Sequence, residues 1–389
     1  MKQKVCKILH LTPHLGGGVG RVLLNYFPAA FRDKTFSHQV CCLDYANENA
    51  QVIAKKIKLK LFDRMSSKKE ALLKMISEAD IVLIHWWNHP LLYDFLVREE
   101  MPLCRLIFWS HVSGFNPPYV FTAKALNYPD LFVFTTPLSI DTKEVKKLPA
   151  EQKKKLRVVW STGGVDHVKS IKMKKHTGFN IGYIGTVDYA KTHPGFFDLC
   201  SRIKIPDVKF IVCGGTGERE FQAEAAGLGI EKKFEFTGQI QNIKKYLRIF
   251  DIFGYPLAPY HYGTCDQALA EAMAAGIVPI VYDNRMEKYM VRDGLTGLVV
   301  KNKNEYARAA YKLYANKKLR IFLSRNAKSY AEQTFSVKKM AGEWKKIFEE
   351  VLLTHKSRKK WKITLTTKEI AAKDVFLESI GSYGHVFRA

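Results

Sequence analysis

Three stretches of this chain carry groups suited to gripping an anionic, hydroxyl-rich ligand. In LTPHLGGGVGRVLLN, residues 11–25, Gly16, Gly17, Gly18 and Gly20 separate a strand pattern from a helix pattern. Glycines there let backbone N–H groups approach a phosphate, and the helix N-terminus adds partial positive charge. The same glycines would equally serve a tight strand-to-helix turn. The dinucleotide fingerprint G-x-G-x-x-G fits poorly, and no isolated acidic residue follows to take a ribose.

The second stretch is YHYGTCDQALAEAMAAGIVPIVYDN, residues 260–284. It predicts a polar loop, a helix over Asp266–Ala275 stopped by Gly276, and a buried strand. Asp266 and Gln267 fall at the helix start, where loop amides can receive a diphosphate. Glu271 lies five positions past Asp266 and can accept from vicinal ribose hydroxyls. It sits in the apolar run ALAEAMAAG, where an unpaired carboxylate is costly to bury, so a binding role outweighs a surface charge. The third stretch, IHWWNHPLLYDF at 84–95, sets His85, Trp86, Trp87, Asn88 and His89 just past a strand. Aromatic faces beside polar groups suit a sugar ring; equally, one Trp belongs to the core and the other shields a helix. Its place beyond a strand C-terminus tilts the reading towards an acceptor site bordered by SGFNPPY, residues 113–119.

These stretches need a scaffold of alternating strands and helices. KVCKILHLTP, SHQVCCLDY, ADIVLIHWW, CRLIFWSHV and LFVFTTP are nearly continuous apolar strand runs, the pattern of parallel strands covered on both faces. Helical patterns such as VGRVLLNYFPAAF and KKEALLKMISEA lie between them. The alternation restarts after residue 177 with FNIGYIG, KFIVCGG, FEFTG, DIFGYPL, IVPIVYD and GLVV. The polar, basic segment 141–177 is the natural linker. The reading is α/β with two Rossmann-like domains: 1–165 on the acceptor side, 166–350 for the nucleotide, and 351–389 a basic tail with one possible helix.

The chain has 389 residues, 47% of them hydrophobic, enough for two cores. Seven cysteines are scattered without ligand or disulfide spacing, which fits reduced, buried thiols and no metal. No apolar run approaches the length of a membrane span, and the N-terminus lacks a leader pattern, so a cytoplasmic location is expected. The formal net charge of +25, from 62 Lys and Arg against 37 Asp and Glu, is concentrated in runs such as EQKKKLR, KSIKMKK and HKSRKKWK. It fits a solvated lysine-rich surface, or peripheral docking on the anionic inner face of the cytoplasmic membrane. No nucleic-acid-binding module accompanies it, so nucleic acid is not an expected partner.

The run EAMAAGIVPIV, followed by Glu287 and VRDGLTGLVV, resembles glycosyltransferase family 4, retaining enzymes of the GT-B fold. FNIGYIGTVDYAKTHPGFFDLC, KFIVCGGTGERE, FEFTGQI, GGVD at 163–166 and SRNAKSYAEQTFS occur in the family's order. The likeness covers nearly all of 1–350 and is stronger in the second half. It implies two domains facing across a cleft and a nucleotide-sugar donor as substrate, with no cofactor. It further implies that Glu271 is the second glutamate of Glu-x7-Glu and holds the ribose. Lys191 would neutralise the donor diphosphate, the main chain at Ile240 would meet the base, and Gly214 would lie in a donor-binding loop. Gly16 and Gly17 would abut the donor phosphates, and His111 in FWSHVSG would lie near the donor sugar. Two positions depart from the family. The first glutamate is replaced by Gly263, with Asp266 as the nearby substitute, and Thr186 stands where an arginine partners the lysine.

The expected activity is sugar transfer to a glycan or lipid-linked acceptor, as in polysaccharide, lipopolysaccharide or glycolipid synthesis. His111, Lys191, Asp266 and Glu271 would form the catalytic set, and Thr186 and Gln267 would join the donor-binding residues. The alternatives are a nucleotide-sugar epimerase or sugar phosphorylase of the same fold, or a nucleotide-binding module that has lost catalysis.

Overall fold

A computed structural model describes residues 5–215, 217–261, 263–363 and 367–387. Two compact units emerge. One comprises the chain up to Gly163 together with the chain from Val337 onward, and the other is Gly164–Ser336.

The first unit is built on β1 (Cys6–Thr12), β2 (Phe36–Cys42), β3 (Lys60–Phe62), β4 (Ile81–Trp86), β5 (Met101–Cys104), β6 (Leu106–Ser110), β7 (Leu131–Phe134) and β8 (Leu156–Val158). All but β5 form one parallel sheet in the order β3-β2-β1-β4-β6-β7-β8. Strands β4, β6 and β7 are buried along their whole length, as continuous apolar runs between two helical layers require.

The second unit contains β9 (Phe179–Ile184), β10 (Val208–Cys213), β11 (Phe234–Phe236), β12 (Ile252–Tyr255), β13 (Val278–Tyr282) and β14 (Leu298–Val300). Its parallel sheet runs β11-β10-β9-β12-β13-β14. Each unit is therefore an open α/β sheet that grows outward in both directions from its first strand, the doubly wound Rossmann-like order.

The end of the chain departs from expectation. The helix Val337–Leu352 belongs to the first unit, so the second closes at Ser336 and not at residue 350. Met340, Trp344, Ile347, Phe348 and Val351 make one apolar stripe, buried in the core that also holds Leu23 and Phe27 of the helix Gly17–Ala30. The last segment is likewise no free tail. Its basic run forms β15 (Ser357–Lys359), antiparallel to β5, and buries Trp361 against Tyr93 and Tyr128. The helix Lys368–Ser379 adds Ala371, Ala372 and Val375 to the same core. Lys359 pairs with Asp130 and Lys356 donates to the Ala79 carbonyl, so the charged run is anchored by its ammonium groups as well as by the tryptophan.

Candidate functional site

In the second unit, sheet order reverses between β9 and β12, the two strands whose C-terminal ends flank the usual ligand crevice of an open α/β sheet. The loop after β9 supplies Thr186, Asp188 and Lys191; the loop after β12 supplies His261, Gly263 and Asp266. The Lys191 backbone is fixed at both ends: its N–H donates to Asp188 Oδ1 at 3.0 Å, and its carbonyl accepts from Ala258 N at 2.8 Å. Its Nζ lies 3.2 Å from Asp266 Oδ1 and 5.6 Å from the centre of the Tyr255 ring. The Tyr255 hydroxyl donates to the same carboxylate oxygen at 3.1 Å.

Asp266 is the N-cap residue of the helix Gln267–Ala274, yet its side chain caps no backbone N–H and turns to Lys191 instead. Beside it, His261 Nε2 stands 2.7 Å from Glu287 Oε1, while its Nδ1 accepts from Gly263 N at 2.9 Å. Burial works against charge on all four groups, and their mutual pairing decides the outcome. For Lys191 burial lowers the pKa, but Tyr255 and Asp266 outweigh it and hold the ammonium well above its usual value. For Asp266, burial raises the pKa and is overcome by Lys191 and His261, which bring it to about 2. Burial also opposes protonation of His261, and Glu287 reverses this, so its pKa is raised. Glu287 itself is raised because burial exceeds the help from His261.

Among the described residues, His261, Asp266 and Glu287 form a buried group with ligand atoms all within 4.8 Å of one another, a donor set able to hold a cation. The Lys191 ammonium already lies against its Asp266 corner, and His261 carries a raised pKa. The ammonium at that corner makes a poor fit for a divalent ion.

Glu271 is fully buried on the same helix but belongs to a second hydrogen-bonded group. Its Oε1 accepts from Gln267 Nε2 at 3.0 Å and lies 3.0 Å from His167 Nε2, while Gln267 also donates to the Gly164 carbonyl at 2.8 Å. Lys191 and Glu271 thus occupy two adjacent clusters that share the Asp266–Gln267 helix start. His167 and His261 are partners that sequence reasoning missed; nothing in their spacing distinguishes them from ordinary loop histidines.

Gly263 has a steric role. A Cβ there would lie 2.8 Å from His261 Nδ1 and 3.0 Å from Asp266 Oδ1, so no side chain fits this loop as it stands. Asp266 in turn is committed to Lys191 and Tyr255, with its side chain only 2% exposed. It orients the cation and does not present a free carboxylate. At Gly214 a Cβ would fall 1.8 Å from the Gly185 carbonyl oxygen, so close approach of two loop backbones accounts for this glycine. The Thr186 carbonyl accepts from the Tyr183 hydroxyl at 2.8 Å, and half-buried Ile240 lies in the loop after β11.

In the first unit the corresponding switch point lies between β1 and β4. Gly16 precedes the helix Gly17–Ala30, and Gly17, at φ +58°, has open space where a Cβ would stand. That helix has no acidic residue in its first turn. His14 stacks on Tyr45 at 5.2 Å and meets Trp87 edge-on at the same distance, with His89 alongside. Trp86 goes to the core against Phe121 and Phe132, so the two tryptophans divide between core and loop. Asn88 is structural, donating to the Ser379 carbonyl at 2.6 Å and to the Val120 carbonyl at 3.2 Å. His111 follows β6 and contacts His85 Nδ1 at 3.0 Å and Ser161 Oγ at 3.3 Å; burial lowers its pKa to about 3.

Two doubly wound parallel units of this kind make the GT-B fold, and solved GT-B glycosyltransferases share it. A glycosyltransferase of Rickettsia africae superposes with a TM-score of 0.72 at 14% identity, covering 90% of this chain and 100% of that one. HepE of Anabaena, solved in complex with UDP-glucose, gives 0.69 at 16% identity over 88% of this chain and 99% of its own. Residues 166–330 match the family model described as glycosyl transferases group 1. An uncharacterized glycosyltransferase of Methanocaldococcus jannaschii is 31% identical over 146 residues, which is 36% of this chain and 37% of that relative. The aligned segment thus spans little more than a third of the curated relative it matches.

Proposed function

We propose that this chain is a retaining glycosyltransferase that moves a sugar from a nucleotide-sugar donor to an acceptor hydroxyl without a metal ion. The observation that carries this reading is the Lys191 ammonium, held by Asp266 at the start of the helix Gln267–Ala274 beyond the β9 and β12 ends. A leaving nucleoside diphosphate gains negative charge as the glycosidic bond breaks. A preoriented cation beside a helix N-terminus stabilises that charge in the transition state more than in the ground state. Buried Glu271, positioned by Gln267 and His167, is assigned to the ribose hydroxyls. The group 1 match over 166–330 supports a donor site in this unit, and the UDP-glucose complex of HepE makes UDP-hexoses the first donors to try.

The test is a thermal-shift panel of sugar nucleotides followed by nucleotide-release assays with and without acceptor. A ligand at 100 times its Kd adds about 2.7 kcal/mol of stability. Release that depends on acceptor supports transfer; epimerised free donor or phosphorolysis overturns it.

A glycan or lipid-linked acceptor at an anionic membrane surface is part of the same proposal. Among the described residues no helix is long and apolar enough to cross a membrane. Lys172, Lys174, Lys244, Lys245 and Arg248 line one hollow of the second unit with no carboxylate among the lining residues. At about 1 kcal/mol per cation near an anionic surface, this patch is strong enough for peripheral docking. Equal sedimentation with neutral and anionic vesicles would remove that part.

A further inference from the structure

Four histidines of the first unit form a continuous row across its sheet. His38, His10 and His85 come from β2, β1 and β4, which are sheet neighbours, and His111 follows β6, the next strand in order. His38 Nδ1 lies 2.9 Å from His10 Nε2; His10 Nδ1 lies 3.0 Å from His85 Nε2; His85 Nδ1 lies 3.0 Å from His111 Nε2. His111 Nδ1 then meets Ser161 Oγ at 3.3 Å. His10 and His85 are fully buried, and His38 is 8% exposed. Phe27 packs edge-on against His10, and Trp109 packs on both His85 and His111. Desolvation by this apolar surround lowers the pKa of all four rings, that of His38 to about 4 despite the opposing charge of Asp33, so they are neutral at pH 7.

A neutral imidazole has one N–H donor and one bare nitrogen acceptor. Each of the three ring–ring contacts needs one hydrogen, neither two nor none. The only arrangements of four neutral rings that satisfy all three put the hydrogen on the same nitrogen in every ring: Nδ1 throughout, or Nε2 throughout. The head-to-tail order, Nδ1 to Nε2 at every contact, makes this coupling complete. Buried partners in a low dielectric make a mismatched contact costly, so the rings switch together.

We propose that the four rings act as one tautomeric relay in which His38, His10 and His85 are positioning residues that set which nitrogen of His111 bears hydrogen. A proton taken from solvent at His38 Nε2 and one passed from His111 Nδ1 to Ser161 Oγ, which gives up its own hydroxyl hydrogen to solvent, move every N–H across its ring with no net charge left on the row; the reverse passage is equivalent. The relevance of this to sugar transfer rests on the assignment of His111 to the donor sugar, whereas the relay itself does not.

The test uses the full chain labelled with ¹⁵N-histidine, with ring tautomers read from two-bond nitrogen–proton correlations at pH 7. The parent should show His10, His38, His85 and His111 in one common tautomer. His38→Phe removes the partner of His10 Nε2, where a buried N–H without an acceptor is worse than a bare nitrogen, so the row shifts to Nδ1–H. Ser161→Ala removes the oxygen facing His111 Nδ1 and shifts the row to Nε2–H. His85 touches neither substituted side chain, yet it should report opposite tautomers in the two variants. The same His85 tautomer in both, or mixed tautomers along the row in the parent, overturns the relay. Absence of glycosyl transfer would sink the functional reading and leave this result standing.

Discussion

Replacing Lys191 by methionine keeps most of the stem and removes the charge, leaving the Asp266 carboxylate with only the Tyr255 hydroxyl and its His261 and Glu287 neighbours. In the parent that carboxyl sits at about 2 against an ordinary 3.8, a difference worth about 2 kcal/mol of stability at neutral pH. Removing one member of a buried pair costs about 3–5 kcal/mol when the other stays charged. Asp266 can escape part of this by taking a proton, so the lower end applies. In a unit of this size the melting temperature should fall by about 10 °C. UDP affinity, followed by titration calorimetry, should weaken by roughly 10- to 100-fold through loss of a charged hydrogen-bond partner. The double variant Lys191→Met with Asp266→Asn removes the stranded charge, so it should regain most of the stability and none of the affinity. A single variant that melts and binds UDP like the parent would refute the assignment of Lys191. A double variant no more stable than the single one would refute the electrostatic account of Asp266.

Glu271→Gln keeps the shape but replaces one acceptor oxygen with an amide nitrogen, and should weaken UDP binding by roughly 10-fold and weaken 2′-deoxyribonucleotide binding, which offers one hydroxyl fewer, by less. The raised pKa of His261 gives a stability contribution that is fully present below the ordinary value of 6.5 and is lost as pH climbs through the raised value. His261→Gln should therefore flatten the alkaline limb of the melting-temperature profile, and an unaltered limb would assign it elsewhere. Gly263→Glu installs the glutamate of the Glu-x7-Glu pattern but drives its Cβ into His261 and Asp266, so it should lower the melting temperature and fail to raise turnover.

The sheets and most of their helices were legible because each strand is a continuous apolar run, and periodicity reports burial directly. The ends of the second unit were not. The Val337–Leu352 helix carries a clear apolar stripe, but a stripe does not say which sheet it covers, and here it returns to the helix Gly17–Ala30. The run HKSRKKWK read as a solvated tail because charge dominates it, whereas Trp361 is buried and Lys356 and Lys359 are bonded to Ala79 and Asp130. At the site, Glu271 stood out as a carboxylate among alanines; the structure buries it fully and sets Gln267 and His167 against it. Its partner His167, the His261–Glu287 pair and the histidine row were hidden. Each joins residues far apart in sequence, and a single histidine near a strand end carries no mark of its neighbour.

The uncharged residues at 263 and 186 make physical sense together. Neither Gly263 in the loop after β12 nor Thr186 in the loop after β9 carries a charge. Both loops lie beyond the same switch point, so the local charge balance is kept. What remains is two close pairs, Lys191 with Asp266 and His261 with Glu287. Beside these two pairs, a glutamate at 263 or an arginine at 186 would each add one unmatched charge. Glycine at 263 lets its N–H reach His261 Nδ1 at 2.9 Å, where a Cβ would lie 2.8 Å from the same ring nitrogen.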